Sequence, residues 1–264
     1  NESRPAFEMH GKYNFLSQYG NNIDLRMDNE LVQEKFKKVL SSLVDVGVKG
    51  FRLKNAKHLI IADQIEDEGK NSDPAKPSGA GVEDYKFYLH GQSTYRDGLG
   101  DLLQKFAKHV HNITNNEGFL STYEPIGISN PSVFIANDTK RFGMDLPKID
   151  LMGLLVTDQP TSSIATKLYN YFSNFNTNLP TLLSSTSWMQ LQFNKDAYNT
   201  LDASAYYMFV SLLRGVQIAP LDAFVEIETE RLKELSSTRE KTAIQHGSFD
   251  FFLSEDKTAF GYAR

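Results

Sequence analysis

Short apolar runs alternate with longer segments of helical spacing along the chain, and this order constrains the fold more than any other feature. Residues 32–44 carry a helical stripe with Asp28 or Asn29 as its predicted cap and Gly47 as its end, and a predicted strand at residues 48–54 follows directly. The order repeats with a helix over residues 99–113 and a strand at residues 119–123. Strands separated by helices in this way pair in parallel, with the helices covering the sheet. The sequence therefore predicts an α/β fold with a parallel sheet.

Later segments continue the alternation with weaker patterns. We predict three more strands, at residues 149–156, 179–185 and 215–219, with helices over residues 164–175 and 201–213 between them. About five strands result, whereas a closed (β/α)8 barrel needs eight. The sequence thus predicts part of such a barrel, and we expect its first strands to lie upstream of these residues.

Composition places the chain among ordinary globular proteins. Of its 264 residues, 40% are hydrophobic and 23% are charged. The net charge of −5 argues against nucleic acid as a partner, because nucleic-acid-binding surfaces are basic. Cysteine is absent, which excludes disulfides and thiolate metal sites. No cofactor or metal motif is present, and His109 and His111 are expected to be surface residues.

Two stretches interrupt the alternation. Residues 63–83 are charged and rich in Pro, Ser and Gly, which favours a surface insertion. Residues 226–245 form a predicted charged helix, and a β-hairpin with its turn at Glu255, Asp256 and Lys257 follows. We therefore divide the chain into residues 1–246, the barrel part, and residues 247–264, the start of an all-β domain.

The sequence Gly50-Phe51-Arg52-Leu53-Lys54 ends the first predicted strand of the barrel part. Side chains alternate across a strand, so Arg52 and Lys54 share one face while Phe51 and Leu53 share the other. Apolar residues suit the side that the helices cover. We expect Arg52 and Lys54 to point into the mouth of the barrel.

This segment resembles the α-amylase (glycoside hydrolase) superfamily, in which Gly-Phe-Arg-x-Asp ends a barrel strand and the Asp attacks the sugar. Residues 22–26 with 32–36, and residues 232–239 with 246–249, resemble segments of the same family in the same order. The resemblance implies a partial TIM (β/α)8 barrel followed by the start of an antiparallel β-sandwich domain.

Lys54 occupies the position of the nucleophile in this resemblance. An amine cannot form the glycosyl ester that a retaining glycosidase requires. Lys54 could act as a Schiff-base or phosphate-binding lysine, but we favour a charge that pairs with a leftover carboxylate.

The general acid of the family ends the next strand, where this chain has Tyr123 followed by Glu124. A one-residue slip turns a side chain to the opposite face of a sheet, so Glu124 fits only if a bulge beside Pro125 restores its direction. The third family site, a His-Asp pair, falls where the chain has Ser185, Thr186 and Ser187. The resemblance therefore implies a catalytically inactive domain.

Within the superfamily, Asn14-Phe15, Val32-Gln33 and Lys57-His58-Leu59 resemble the heavy chains of heteromeric amino acid transporters. That resemblance implies the extracellular domain of a type II plasma-membrane glycoprotein, anchored by a span outside these residues, that escorts a light-chain permease. The asparagine content suggests an invertebrate, flatworm-like member. The alternatives are an α-glucosidase or amylase-type glycoside hydrolase and a sugar-binding pseudoenzyme.

Three triplets match the N-glycosylation sequon, beginning at Asn1, Asn112 and Asn137. We predict glycosylation at Asn112 and Asn137. Modification there would fit an extracellular location.

Overall fold

A computed structural model of the chain describes its central helices and strands and the C-terminal hairpin. The described residues are 7–10, 13–16, 25–62, 91, 93–125, 131–149, 165–166, 169–170, 190–192, 209, 212, 216–218, 229–247 and 250–263. Within these residues no helix combines the length and apolarity needed to cross a membrane.

Within the described residues, nine strands form three separate sheets. An antiparallel hairpin of β1 (Phe7–His10) and β2 (Tyr13–Leu16) comes first in the chain. The central sheet has five strands, all parallel: β3 (Gly50–Leu53), β4 (Phe119–Pro125), β5 (Leu146–Ile149), β6 (Gln190–Gln192) and β7 (Val216–Ile218). Their order in space is their order in the chain. Each new strand therefore pairs with the preceding one, as in a (β/α) barrel.

Helices α1 (Glu30–Asp45) and α2 (Leu99–Ile113) precede the first two strands of this sheet. The side chain of Asn29 caps α1 by accepting a hydrogen bond from the Leu31 amide at 2.9 Å. Gly47 ends the helix with φ of 100°, a left-handed conformation that glycine adopts without strain. Both features follow the sequence prediction for this helix.

The core lies between these two helices and the side of the central sheet that faces them. Phe51 on β3 and Leu120 on β4 are buried here, at 8% and 0% exposure. Phe106 of α2 is also fully buried and contacts Phe36 of α1, with ring centroids 4.8 Å apart and the ring planes tilted by 54°. This apolar layer holds the ends of β3 and β4 in position.

Two further helices, α3 (Thr229–Arg239) and α4 (Thr242–His246), lie near the C-terminus. The sequence predicted one continuous helix over residues 226–245, which is wrong. Lys241 has an extended backbone with ψ of 136°, and this conformation separates the two helices.

The chain then forms an antiparallel hairpin of β8 (Asp250–Leu253) and β9 (Phe260–Ala263), as predicted. Lys257 takes a left-handed conformation in its turn. The Tyr262 hydroxyl donates to the Phe209 carbonyl at 2.7 Å, and both rings are in contact. The hairpin thus packs on the barrel part. The predicted boundary at residue 247 stays a prediction.

Several predicted segments differ from the observed ones or lie largely outside the described residues, as do the helices predicted over residues 164–175 and 201–213. β5 begins at Leu146, three residues before the predicted start. β6 was not predicted, because its glutamines lack the apolar pattern of a buried strand. The predicted strand at 179–185 and the insertion at 63–83 lie outside the described residues.

Candidate functional site

The candidate site lies where β3, β4 and β5 end, at the edge of the sheet where barrel enzymes carry their active sites. Arg52 is the second-last residue of β3, and Phe51 beside it points into the core. Because side chains alternate, Arg52 points to the opposite face. This is the face predicted for Arg52, whereas the predicted direction of Lys54, which lies beyond the strand, stays a prediction.

Lys54 comes directly after β3 and is exposed to solvent. The next residue, Asn55, has a left-handed backbone and begins a short 3-10 helix at Ala56–His58. Among the carboxylates whose side chains are described, none forms an ion pair with Lys54. Because Lys54 is exposed, water can stabilise its charge, and no carboxylate partner is needed to offset a cost of burial.

Tyr123 lies at the centre of the site. β3 and β4 pair with Arg52 opposite Ser121, and Tyr123 follows two residues later on the same face. The Arg52 guanidinium carbon is 4.6 Å from the centroid of the Tyr123 ring. The ring is 42% exposed. Tyr123 therefore presents an aromatic surface at the end of β4.

Lys148 on β5 places a second cation on the same ring, with its ammonium nitrogen 4.9 Å from the centroid. Each cation is attracted to the negative face of the aromatic system, by about 0.5–1 kcal/mol at an exposed site. Sequence reasoning missed Lys148, because the strand was predicted to begin after it. The available signal was a lysine among the apolar residues 146–149.

The register between β4 and β5 shifts inside this site. Ser121 pairs with Leu146 and Pro125 pairs with Lys148, so four steps along β4 match two along β5. An irregularity therefore lies in β4 in the stretch where Glu124 would need a bulge to change its direction. The Glu124 side chain, like Ser185, Thr186 and Ser187, lies outside the described part of the structure.

Polar contacts behind the site join its strands. The Ser121 hydroxyl donates to the Phe51 carbonyl at 3.2 Å. Asp145, just before β5, accepts the Leu120 amide at 2.7 Å and contacts His111 Nε2 at 3.0 Å. These bonds hold β3, β4 and β5 together and connect β4 to α2.

The two helix histidines have separate contacts. His109 Nε2 lies 3.0 Å from the Ser41 hydroxyl on α1, while His111 contacts Asp145. Across the described ranges, no group of three or more His, Cys, Asp or Glu residues could hold a metal ion. Both histidines therefore connect α2 to its neighbours.

No family model and no curated protein matches the sequence. Solved structures do match. The α-glucosyl transfer enzyme XgtA aligns with a TM-score of 0.63 and 13% identity, over 95% of this chain and 60% of that one. The trehalose-6-phosphate hydrolase TreA of Bacillus licheniformis gives 0.57 and 14%, over 90% and 45%. A family GH13_31 enzyme gives 0.54 and 12%, over 89% and 46%.

The fold is that of a partial (β/α) barrel, as in these enzymes. The chain spans between 45% and 60% of the length of these enzymes, and it carries the parallel sheet of a partial (β/α) barrel. At such low identity the similarity concerns the fold alone. Whether the chain is active therefore depends on the residues of the site, which the similarity does not address.

Proposed function

We propose that this chain is a non-catalytic amylase-type domain that acts by binding a partner. One observation carries the proposal: Tyr123, with Arg52 and Lys148 on its ring, occupies the position that the resemblance assigns to the general acid. Lys54 takes the position of the nucleophile beside it.

The chemistry of these groups supports the proposal. A retaining glycosidase needs two carboxyl groups about 5–5.5 Å apart, one to attack the sugar and one to protonate the leaving oxygen. Lys54 and Arg52 are cations and cannot form the ester intermediate. Loss of nucleophilic and acid–base catalysis removes orders of magnitude in rate, because general acid–base catalysis alone contributes about 10²–10⁴-fold.

The role we propose is that of the extracellular domain of a heteromeric amino acid transporter heavy chain. Its partner would be a light-chain permease, and a membrane span outside these residues would anchor it at the plasma membrane. The proposal rests on the resemblance of Lys57-His58-Leu59 and the other short segments, together with the amylase-type fold.

An activity assay tests the loss of catalysis. Incubation with maltose, maltooligosaccharides and an aryl α-glucoside is expected to release no sugar or phenol above a heat-denatured control. Lys54→Asp alone is expected to leave the protein inactive, since the Ser185–Ser187 region supplies no His-Asp pair. Turnover that survives Lys54→Ala but is lost in Glu124→Gln would contradict the proposal.

Co-expression tests the partner. The full-length protein is expected to bring a light-chain permease to the plasma membrane, measured by surface biotinylation of the permease. A version without its membrane anchor serves as the control and is expected to leave the permease inside the cell. Unchanged surface permease when the full-length protein is removed would rule out the transporter role.

A second candidate function is a glycoside hydrolase or a sugar-binding pseudoenzyme. The register shift between Ser121 and Pro125 favours it, because a bulge there can turn Glu124 towards the mouth of the barrel. Calorimetric titration with maltooligosaccharides tests this candidate. Saturable binding that Tyr123→Ala abolishes would favour a sugar site, since aromatic rings supply apolar contact area to ligands.

A further inference from the structure

We propose that Asn137 is the glycosylated asparagine of the folded domain and that Asn112 remains unmodified. The inference rests on the extracellular location in the proposed function. The two sequons lie at opposite ends of α2. Each requires a hydroxyl residue at its third position, and the two differ in whether the fold leaves that hydroxyl accessible.

The Asn137 sequon lies on an exposed turn after the 3-10 helix at Pro131–Phe134. Asn137, Asp138 and Thr139 are all exposed. The Thr139 hydroxyl accepts a hydrogen bond from the Gln104 amide at 2.7 Å, which leaves its own proton available to donate. A transferase can therefore reach both the acceptor amide and the hydroxyl.

Asp101 in the first turn of α2 holds this turn in a geometry compatible with a glycan. One of its oxygens accepts the Asn137 backbone amide at 2.6 Å, and the other accepts the side-chain Nδ2 at 2.7 Å. Nδ2 carries two hydrogens, and glycosylation replaces only one of them. The bond to Asp101 can thus persist in the glycosylated protein.

The Asn112 sequon differs at its hydroxyl. Asn112 is exposed, but Thr114 is only 6% exposed. The Thr114 hydroxyl donates to the Val110 carbonyl at 2.7 Å and accepts the Gly118 amide at 2.8 Å. All of these partners lie within four residues of Thr114, so they become available as soon as the end of α2 forms. The hydroxyl is then occupied and buried.

The modification uses a polyprenyl-pyrophosphate-linked oligosaccharide as its donor. Asn137 Nδ2 forms a bond to C1 of the first sugar, and the C1–oxygen bond to the pyrophosphate breaks. The lipid pyrophosphate leaves with the electron pair, and the amide nitrogen loses one proton. The product is an N-glycosyl amide whose nitrogen lies beside Asp101.

Mass mapping of glycan sites provides the test. The full chain is produced behind a secretory leader in eukaryotic cells, in an Asn1→Gln background that leaves two sequons. Enzymatic release of glycans in heavy-oxygen water then marks each modified asparagine. The variants are Asn112→Gln, Asn137→Gln and Thr139→Ala, with Thr139→Ser as the matched control that keeps the sequon.

We expect one glycan, which is lost in Asn137→Gln and Thr139→Ala and retained in Asn112→Gln and Thr139→Ser. A glycan at Asn112 with Asn137 bare, equal occupancy of both, or modification of neither overturns the proposal. Thermal unfolding of the deglycosylated variants shows whether each one folds. Because the leader supplies entry to the secretory pathway, the result is separate from the permease experiment, and either proposal can fail alone.

Discussion

The two faces of β3 and β4 differ sharply. On the helix side, Phe51 and Leu120 are buried against α1 and α2 in a continuous apolar layer. On the opposite face, Arg52 and Tyr123 form a polar and partly exposed site with Lys148. Neighbouring residues of the same short strands therefore have different roles, since one set packs in the core and the other forms the site.

This difference separates what the fold requires from what a reaction requires. The helix side needs apolar residues of matching volume, and the amylase-type barrel persists as long as they are present. The other face needs specific groups only if chemistry takes place there. A chain can thus keep the barrel fold at 12–14% identity to enzymes, because the fold constrains the helix side more than it constrains the residues at the mouth of the barrel.

The helix side is expected to show the largest loss of stability. Phe106→Ala removes a fully buried ring that packs against Phe36, and should lower the free energy of unfolding by about 3–5 kcal/mol. Urea unfolding followed by circular dichroism measures the change. Leu31→Ala is the control, because Leu31 is 77% exposed on α1, and it should stay within about 0.5 kcal/mol. Equal losses in both variants would contradict the assigned core.

A smaller loss is expected where backbones approach closely on the same side. A Cβ at Gly100 would contact the Ile135 backbone, so Gly100→Ala should destabilise the protein by about 1–3 kcal/mol. Alanine also favours helix by about 1 kcal/mol over glycine, which offsets part of the loss. Gly91→Ala is the matched control, since no atom lies within 4 Å of its added Cβ. Thermal melts of the two variants decide whether the contact is as tight as described.

Tyr123→Ala should have a smaller effect still. It removes two cation–π contacts, those with Arg52 and Lys148, at a cost of about 1–2 kcal/mol in total. Tyr123→Phe keeps the ring and should unfold within about 0.5 kcal/mol of the parent in urea. If Tyr123→Phe is as unstable as Tyr123→Ala, the hydroxyl and not the ring face carries the interaction.

The sequence predicted the elements on the helix side more completely than the residues at the mouth of the barrel. The sequence predicted α1 and α2 from their helical spacing, and it predicted the cap of α1 and its end at Gly47. Local patterns determine all of these features. Lys148 was missed because its place in the site depends on how β5 pairs with β4. The register shift before Pro125 was suggested by the residue order, but its size comes from tertiary pairing. Long-range pairing leaves little trace in a single sequence.

The smallest effect is expected at the opposite end of the same strands, where charges pair in an ordinary way. Lys49, just before β3, forms an ion pair with Glu117, just before β4. The hydrogen bond from the Lys49 ammonium, together with its charge, holds the pKa of Glu117 below the ordinary glutamate value. A depressed folded-state pKa means that the pair stabilises the protein fully above the unfolded-state pKa. This contribution is lost as the pH falls through the folded-state pKa.

A carboxyl NMR titration of Glu117 in the parent and in Lys49→Ala measures this shift, and Lys38→Ala is the control for removal of a surface lysine. We expect the pKa of Glu117 to rise towards the ordinary value in Lys49→Ala and to stay low in Lys38→Ala. Because both partners are exposed, added salt should shrink the shift in the parent. A pKa that neither the substitution nor salt moves would mean that Lys49 does not pair with Glu117 in solution. In that case the start of the strands would hold no ion pair, and the two ends of β3 and β4 would no longer differ in how their charges are stabilised.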